Sequence, residues 1–151
     1  MVKLPRYAAH AHGRWPKGTH RSVNRTTTLS ILTALAAVFF LAFGIWPLVD
    51  ARGFFDNLAT FEPYNAHFLH DIGAFQVGIG ATLAAALWKR QDAIFAALAG
   101  AGIGTAIHTG AHIADQDLGG KDSDAVVFGV VALLLLGGAA WRLLPAKRTA
   151  G

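Results

Sequence analysis

Two short segments of this chain place histidine and aspartate at helical spacing within apolar sequence. Their ionisable residues are His67, His70, Asp71, His108, His112 and Asp115. A charged group near the centre of a bilayer costs at least about 2.5–3.5 kcal/mol when it faces lipid. Such residues, clustered in a membrane span, therefore indicate a functional site.

The spacing of these residues points to a metal ion. His67 and Asp71 are four residues apart, as are His108 and His112, so each pair presents two ligands from one face of a helix. Three imidazoles and one carboxylate suit Zn²⁺, Fe²⁺ or Cu²⁺. We predict a metal site formed by all four, with His70 and Asp115 as hydrogen-bond partners of the ligands or as ligands of a second metal.

The elements that must position these residues are membrane helices. Of the 151 residues, 54% are hydrophobic and only 15% are charged, and the mean hydropathy is +0.42. Apolar runs cover residues 29–49, 68–88, 93–113 and 125–144, each about 20 residues and long enough to cross roughly 30 Å of hydrocarbon. The runs are continuous and rich in Ala, Leu and Gly, which favours helices over a barrel. The predicted fold is an all-α, four-helix transmembrane bundle.

Basic residues are distributed unevenly between the two sides of this bundle. Six precede the first span, two join the second and third spans, and three end or follow the fourth, leaving only Arg52 and Lys121 on the other side. The positive-inside rule then predicts a multi-pass protein of the cytoplasmic (inner) membrane with both termini cytoplasmic. Both histidine segments would face outward.

The chain divides into a membrane domain and two tails. Residues 28–145 form the predicted four-span domain, residues 1–27 a disordered basic tail, and residues 146–151 a second cytoplasmic tail. The basic tail is expected to contact anionic lipid, at about 1 kcal/mol per basic residue held near the surface, rather than nucleic acid. The absence of cysteine excludes disulfides and thiolate metal sites.

A short turn at residues 88–92 predicts that the second and third spans are antiparallel neighbours. Positions equally far from this turn lie at the same depth, so the two histidine segments should be within about one helical turn of each other. Each span also carries a stripe of small residues in line with its histidines: Ala74, Gly78, Ala81 and Ala85, and Ala97, Ala101, Gly104 and Thr105. We expect these stripes to pack together and to bring the two polar clusters face to face.

Other functions fit the same residues. A structural or accessory membrane subunit could use them as interhelical hydrogen bonds, worth around 0.6 kcal/mol each, and a third possibility is proton or ion movement. A haem could bind between one histidine from each helix, although tightly packed helices would leave it no room. The aromatic segment 50–64 could be an interfacial belt or a lid over an outward-facing pocket. No catalytic motif decides whether the protein is an enzyme.

The second span opens with Tyr64-Asn65-Ala-His67, followed by Asp71 and Gly73, and the third span carries the His108-x-x-x-His112 pair. Together these two motifs resemble small four-span membrane proteins of actinobacteria that are DoxX-like in shape. The resemblance covers residues 30–145. It implies that the matching positions are functional, including Asn65 as a further residue around the metal ligands, and that the protein acts with other membrane subunits or near quinone. His70 and Asp115 depart from the family pattern.

The charge distribution makes a direct prediction of topology. A tag placed before Met1 and a reporter fused after Gly151 should both lie in the cytoplasm, because the basic residues concentrate on the side of the termini. Protease protection in sealed inverted and right-side-out vesicles measures this. A terminus cleaved from outside the cell would reverse the orientation.

Overall fold

The computed structural model describes residues 24–89, 92–118 and 121–145. The helices are α1 (Arg25–Val49), α2 (Ala51–Asn57), α3 (Ala66–Lys89), α4 (Asp92–Ala114) and α5 (Asp124–Leu143), with a 3-10 turn at Gln116–Leu118. α1, α3, α4 and α5 are long and apolar enough to span a membrane. The all-α, four-helix transmembrane bundle is therefore confirmed. The tail predictions concern mainly residues 1–23 and 146–151, which lie outside the described ranges.

The four predicted spans coincide with the four long helices. The first span begins at Arg25, four residues earlier than predicted, and every other bound agrees within two residues. Asn24 accounts for the early start, since its side-chain oxygen accepts a hydrogen bond from the Thr26 N–H at 3.1 Å and caps the helix. Asp50 separates α1 from α2: its N–H donates to the Trp46 carbonyl, and its carboxylate accepts from the Gly53 N–H, both at 2.8 Å.

The bundle consists of two helix pairs, α1 with α3 and α4 with α5, while α3 and α4 touch much less. In the α1–α3 pair, the two helix backbones approach each other closely at glycine residues. A Cβ on Gly44 would lie 2.7 Å from the Val77 nitrogen, and one on Gly73 would lie 2.7 Å from the Gly44 oxygen. Only residues without a side chain allow two helices this close.

Two hydrophobic clusters stabilise the arrangement. The larger lies among all four long helices, and its bulkiest members are Leu29, Phe40, Leu83, Ile94, Leu98 and Leu135. The smaller contains Phe54, Phe55 and Leu69, and it fills the space where α2 crosses the start of α3. We call this end, which carries α2 and the connection from α4 to α5, the acidic end of the bundle.

Hydrogen bonds join the two helix pairs at both ends. At the acidic end, the Lys121 ammonium donates to the Asn57 carbonyl at 2.7 Å and so connects the α4–α5 connection to α2. At the opposite end, the Arg25 guanidinium donates to the Arg142 carbonyl and, at 2.6 Å, to the Leu144 carbonyl. These carbonyls belong to the last turn of α5 and the residue immediately after it, where no helical N–H remains to satisfy them.

The predicted packing of the small-residue stripes is wrong. Ala74, Gly78 and the rest of the α3 stripe are exposed, and a Cβ on either Gly78 or Gly104 would have no atom within 4 Å. The reason is that α3 has small residues on a second face, Gly73 and Gly80, and that face meets α1. Between α3 and α4 the stripes leave an open groove of about 440 Å³.

Alanine substitutions should distinguish the two glycine faces of α3. Gly73→Ala should lower the free energy of unfolding by about 1–3 kcal/mol, because its methyl group would overlap the α1 backbone. Gly78→Ala is the matched control and should be neutral or slightly stabilising, because alanine favours the helix and meets open space. Unfolding by SDS in mild detergent, followed by circular dichroism, measures both. Equal stability of the two variants would contradict the α1–α3 contact.

Candidate metal centre

Two imidazoles lie close together on α4. His108 and His112 stand one helical turn apart, and their Nε2 atoms are separated by 3.2 Å. The rings are nearly perpendicular, with an interplanar angle of 89° and centroids 4.7 Å apart. The four-residue spacing within one helix therefore produces the adjacent imidazoles that the sequence predicts.

Phe128 of α5 orients this pair. Its ring lies edge-on to His108, with centroids 4.5 Å apart, and stacks on His112 at 5.2 Å with an interplanar angle of 22°. Asp124, one turn earlier on α5, interacts electrostatically with His108 and accepts a hydrogen bond from the Lys121 N–H at 2.9 Å. The α4 pair is thus supported from α5, not from α3. Sequence reasoning missed Phe128 and Asp124, because neither stands at helical spacing from a histidine.

The second pair, on α3, is more open. The His67 Nε2 and the Asp71 Oδ2 are 3.6 Å apart, and the side chains are 86% and 55% exposed. His70 and Asp115 are also exposed. The Asn65 side chain accepts a hydrogen bond from the Phe68 N–H at 3.1 Å, so it caps the first turn of α3.

The structure places His108 beside His112 and His67 beside Asp71, but it does not bring these two pairs together. Within the described ranges, no group of three or more His, Asp, Glu or Cys side chains is arranged to hold a metal ion. α3 packs mainly against α1 and touches α4 much less, and the His67 and Asp71 side chains are largely exposed. The four-ligand site remains a prediction that would require α3 to move.

The aromatic segment at the acidic end is packed rather than open. Phe55 contacts Phe61 and Tyr64 edge to face, and Arg52 lies over the rings of Phe55 and Tyr64 at 5.4 and 5.0 Å. A hydrogen bond from Arg52 to Asp56, together with the charge of that carboxylate, raises the pKa of Arg52. These contacts favour a fixed cap on the bundle over a lid.

The groove between α3 and α4 offers no haem ligand. Small residues and Thr82 make up most of its lining, and Phe75 and Ile79 complete it: Ala74, Gly78 and Thr82 come from α3, and Ala96, Ala97, Gly100 and Ala101 from α4. None of these residue types supplies an axial ligand to haem iron. No histidine is among the residues that line this groove.

Comparison with known proteins gives no match: no family model, no curated protein and no solved structure is significantly similar to this chain. The resemblance to the DoxX-like group consequently remains a prediction. The functional argument rests on the geometry of the site.

Because the histidines do not line the groove, we predict that the absorption spectrum of the protein has no haem band. Protein purified in mild detergent, from cells supplied with a haem precursor, should show no Soret band, because the groove contains no axial ligand. A Soret band that disappears in His108→Ala would reverse this conclusion and favour haem as the cofactor.

Proposed function

We propose that this protein is a multi-pass membrane protein that binds a divalent transition-metal ion through His108 and His112. The observation that carries the proposal is the 3.2 Å separation of their Nε2 atoms. In a tetrahedral zinc site with Zn–N bonds of about 2.0 Å, two nitrogen ligands lie about 3.3 Å apart. The metal-free pair therefore already has the spacing that a shared ion requires.

The surroundings of the pair support this role. A neutral imidazole that carries its proton on Nδ1 presents a free Nε2 lone pair to a metal. Phe128 restricts both rings, which lowers the conformational entropy that ligation would cost. Asp124, the first residue of α5, adds a carboxylate at the same end of the bundle.

The location of the site is part of the same proposal. The distribution of basic residues supports insertion in the cytoplasmic membrane with both termini inside, which directs the acidic end and the imidazole pair outward. Zn²⁺, Fe²⁺ and Cu²⁺ all accept imidazole ligands. A redox function beside quinone, as the DoxX-like resemblance implies, would require iron or copper.

Alanine variants test the proposal with a matched control. His108→Ala and His112→Ala should each weaken Zn²⁺ binding by at least about tenfold, because each variant removes a direct ligand. His67→Ala removes an imidazole of the α3 pair and should leave binding unchanged. Equilibrium dialysis in mild detergent measures the affinity, and circular dichroism checks that each variant is folded.

Two results would contradict this assignment. Equal zinc affinity in the wild type and the His108→Ala, His112→Ala double variant would remove the metal site. Loss of zinc in His67→Ala and Asp71→Ala, to the same extent as in His108→Ala, would instead indicate that α3 moves to form the four-ligand site.

A second candidate is an accessory membrane subunit, and the groove between α3 and α4 favours it. Membrane helices associate through faces of small residues, and here the α3 face with Ala74, Gly78, Ala81 and Ala85 is exposed rather than packed. This candidate predicts a protein that binds no metal and copurifies with another membrane protein. Metal analysis of the purified chain separates the two candidates.

A further inference from the structure

The imidazole pair fills only half of a tetrahedral coordination sphere. Zinc in a closed protein site takes four ligands, and His108 and His112 provide two. Among the residues that the structure describes, no third His, Asp, Glu or Cys joins them. Two positions are therefore left for ligands from outside this arrangement.

Two carboxylates on the neighbouring helices make contacts of their own. Asp71 pairs with His67 on α3. Asp124 accepts the Lys121 N–H, which holds its carboxylate at the start of α5. A second copy of this chain carries two more imidazoles in the same arrangement.

We propose that two copies of the chain share one metal ion, with His108 and His112 of each copy as its four ligands. This inference rests on the proposed metal-binding function. A two-fold axis along the membrane normal would place the same end of both copies on the same side of the membrane. The interface would then be isologous, so that each imidazole pair meets its own equivalent.

The surface of α4 beside the pair suits such an approach. Gly104 lies one turn from His108 on the same side of the helix, and a Cβ there would meet nothing within 4 Å. By contrast, exposed residues are bulky on α1 and α5, as at Leu35 and Leu133, and at Ile103 and Ile107 of α4 itself. A second helix can therefore come closer to α4 at Gly104 than to those surfaces.

Charge also fits the shared site. Four neutral imidazoles leave the two positive charges of the ion uncompensated. Each copy contributes one Asp124 carboxylate that interacts electrostatically with its His108. Two copies thus bring two Asp124 carboxylates to the shared site, whereas a single copy brings one.

The test measures zinc stoichiometry and molecular mass together, using the full chain in mild detergent. Zinc alone should convert monomers to dimers with one zinc per two chains, and EDTA should reverse the change. His108→Ala should bind at least tenfold more weakly and remain monomeric, while His67→Ala should behave as the wild type. Gly104→Leu keeps the imidazole pair but fills the contact surface, so it should lose the zinc-induced dimer.

The outcomes separate this inference from the proposed function. One zinc per monomer, lost in His108→Ala, would overturn the shared site and leave the metal-binding function intact, with water in the open positions. Absence of zinc binding would overturn both. One zinc per dimer that persists in the His108→Ala, His112→Ala double variant would also overturn the shared site.

Discussion

The backbone contact between α1 and α3 at Gly44 and Gly73 determines how the other helices of this bundle can be arranged. Lipid is as apolar as the helices, so membrane helices associate by close packing and not by burying apolar surface. The glycine contact fixes the rotation of α3 about its own axis. With α3 held in this way, His67 and Asp71 are exposed, the groove between α3 and α4 is open, and α5 is the main partner of α4.

The sequence predicts the spans well because length and hydropathy define a membrane helix. The four-residue spacing of the histidines likewise predicts adjacent side chains within α4, since that relation is internal to one helix. The rotation of α3 could not be derived in the same way. Its small residues occupy two faces, Gly73 with Gly80 and Ala74 with Gly78, and the order of residues gives no preference between them.

The predicted site shows the same division between what is local and what depends on packing. Equal distance from the turn places the two histidine segments at similar depth, but depth does not fix the direction in which a side chain points. Contacts made by Phe128 and Asp124 depend on how α5 lies against α4, and a phenylalanine in an apolar span resembles any other. The part of the site that could be predicted is therefore the part contained within one helix.

The hydrogen bonds of Arg25 have a consequence for synthesis of the chain. α1 and α3 can pair once the first 89 residues are in the membrane, and α4 and α5 form their own contacts from the remainder. Arg25, at the start of α1, finds its carbonyl partners at Arg142 and Leu144, which are translated 117 and 119 residues later. Arg25 can therefore donate these hydrogen bonds only after residue 144 has been synthesised, so this link between the two helix pairs is among the last to form.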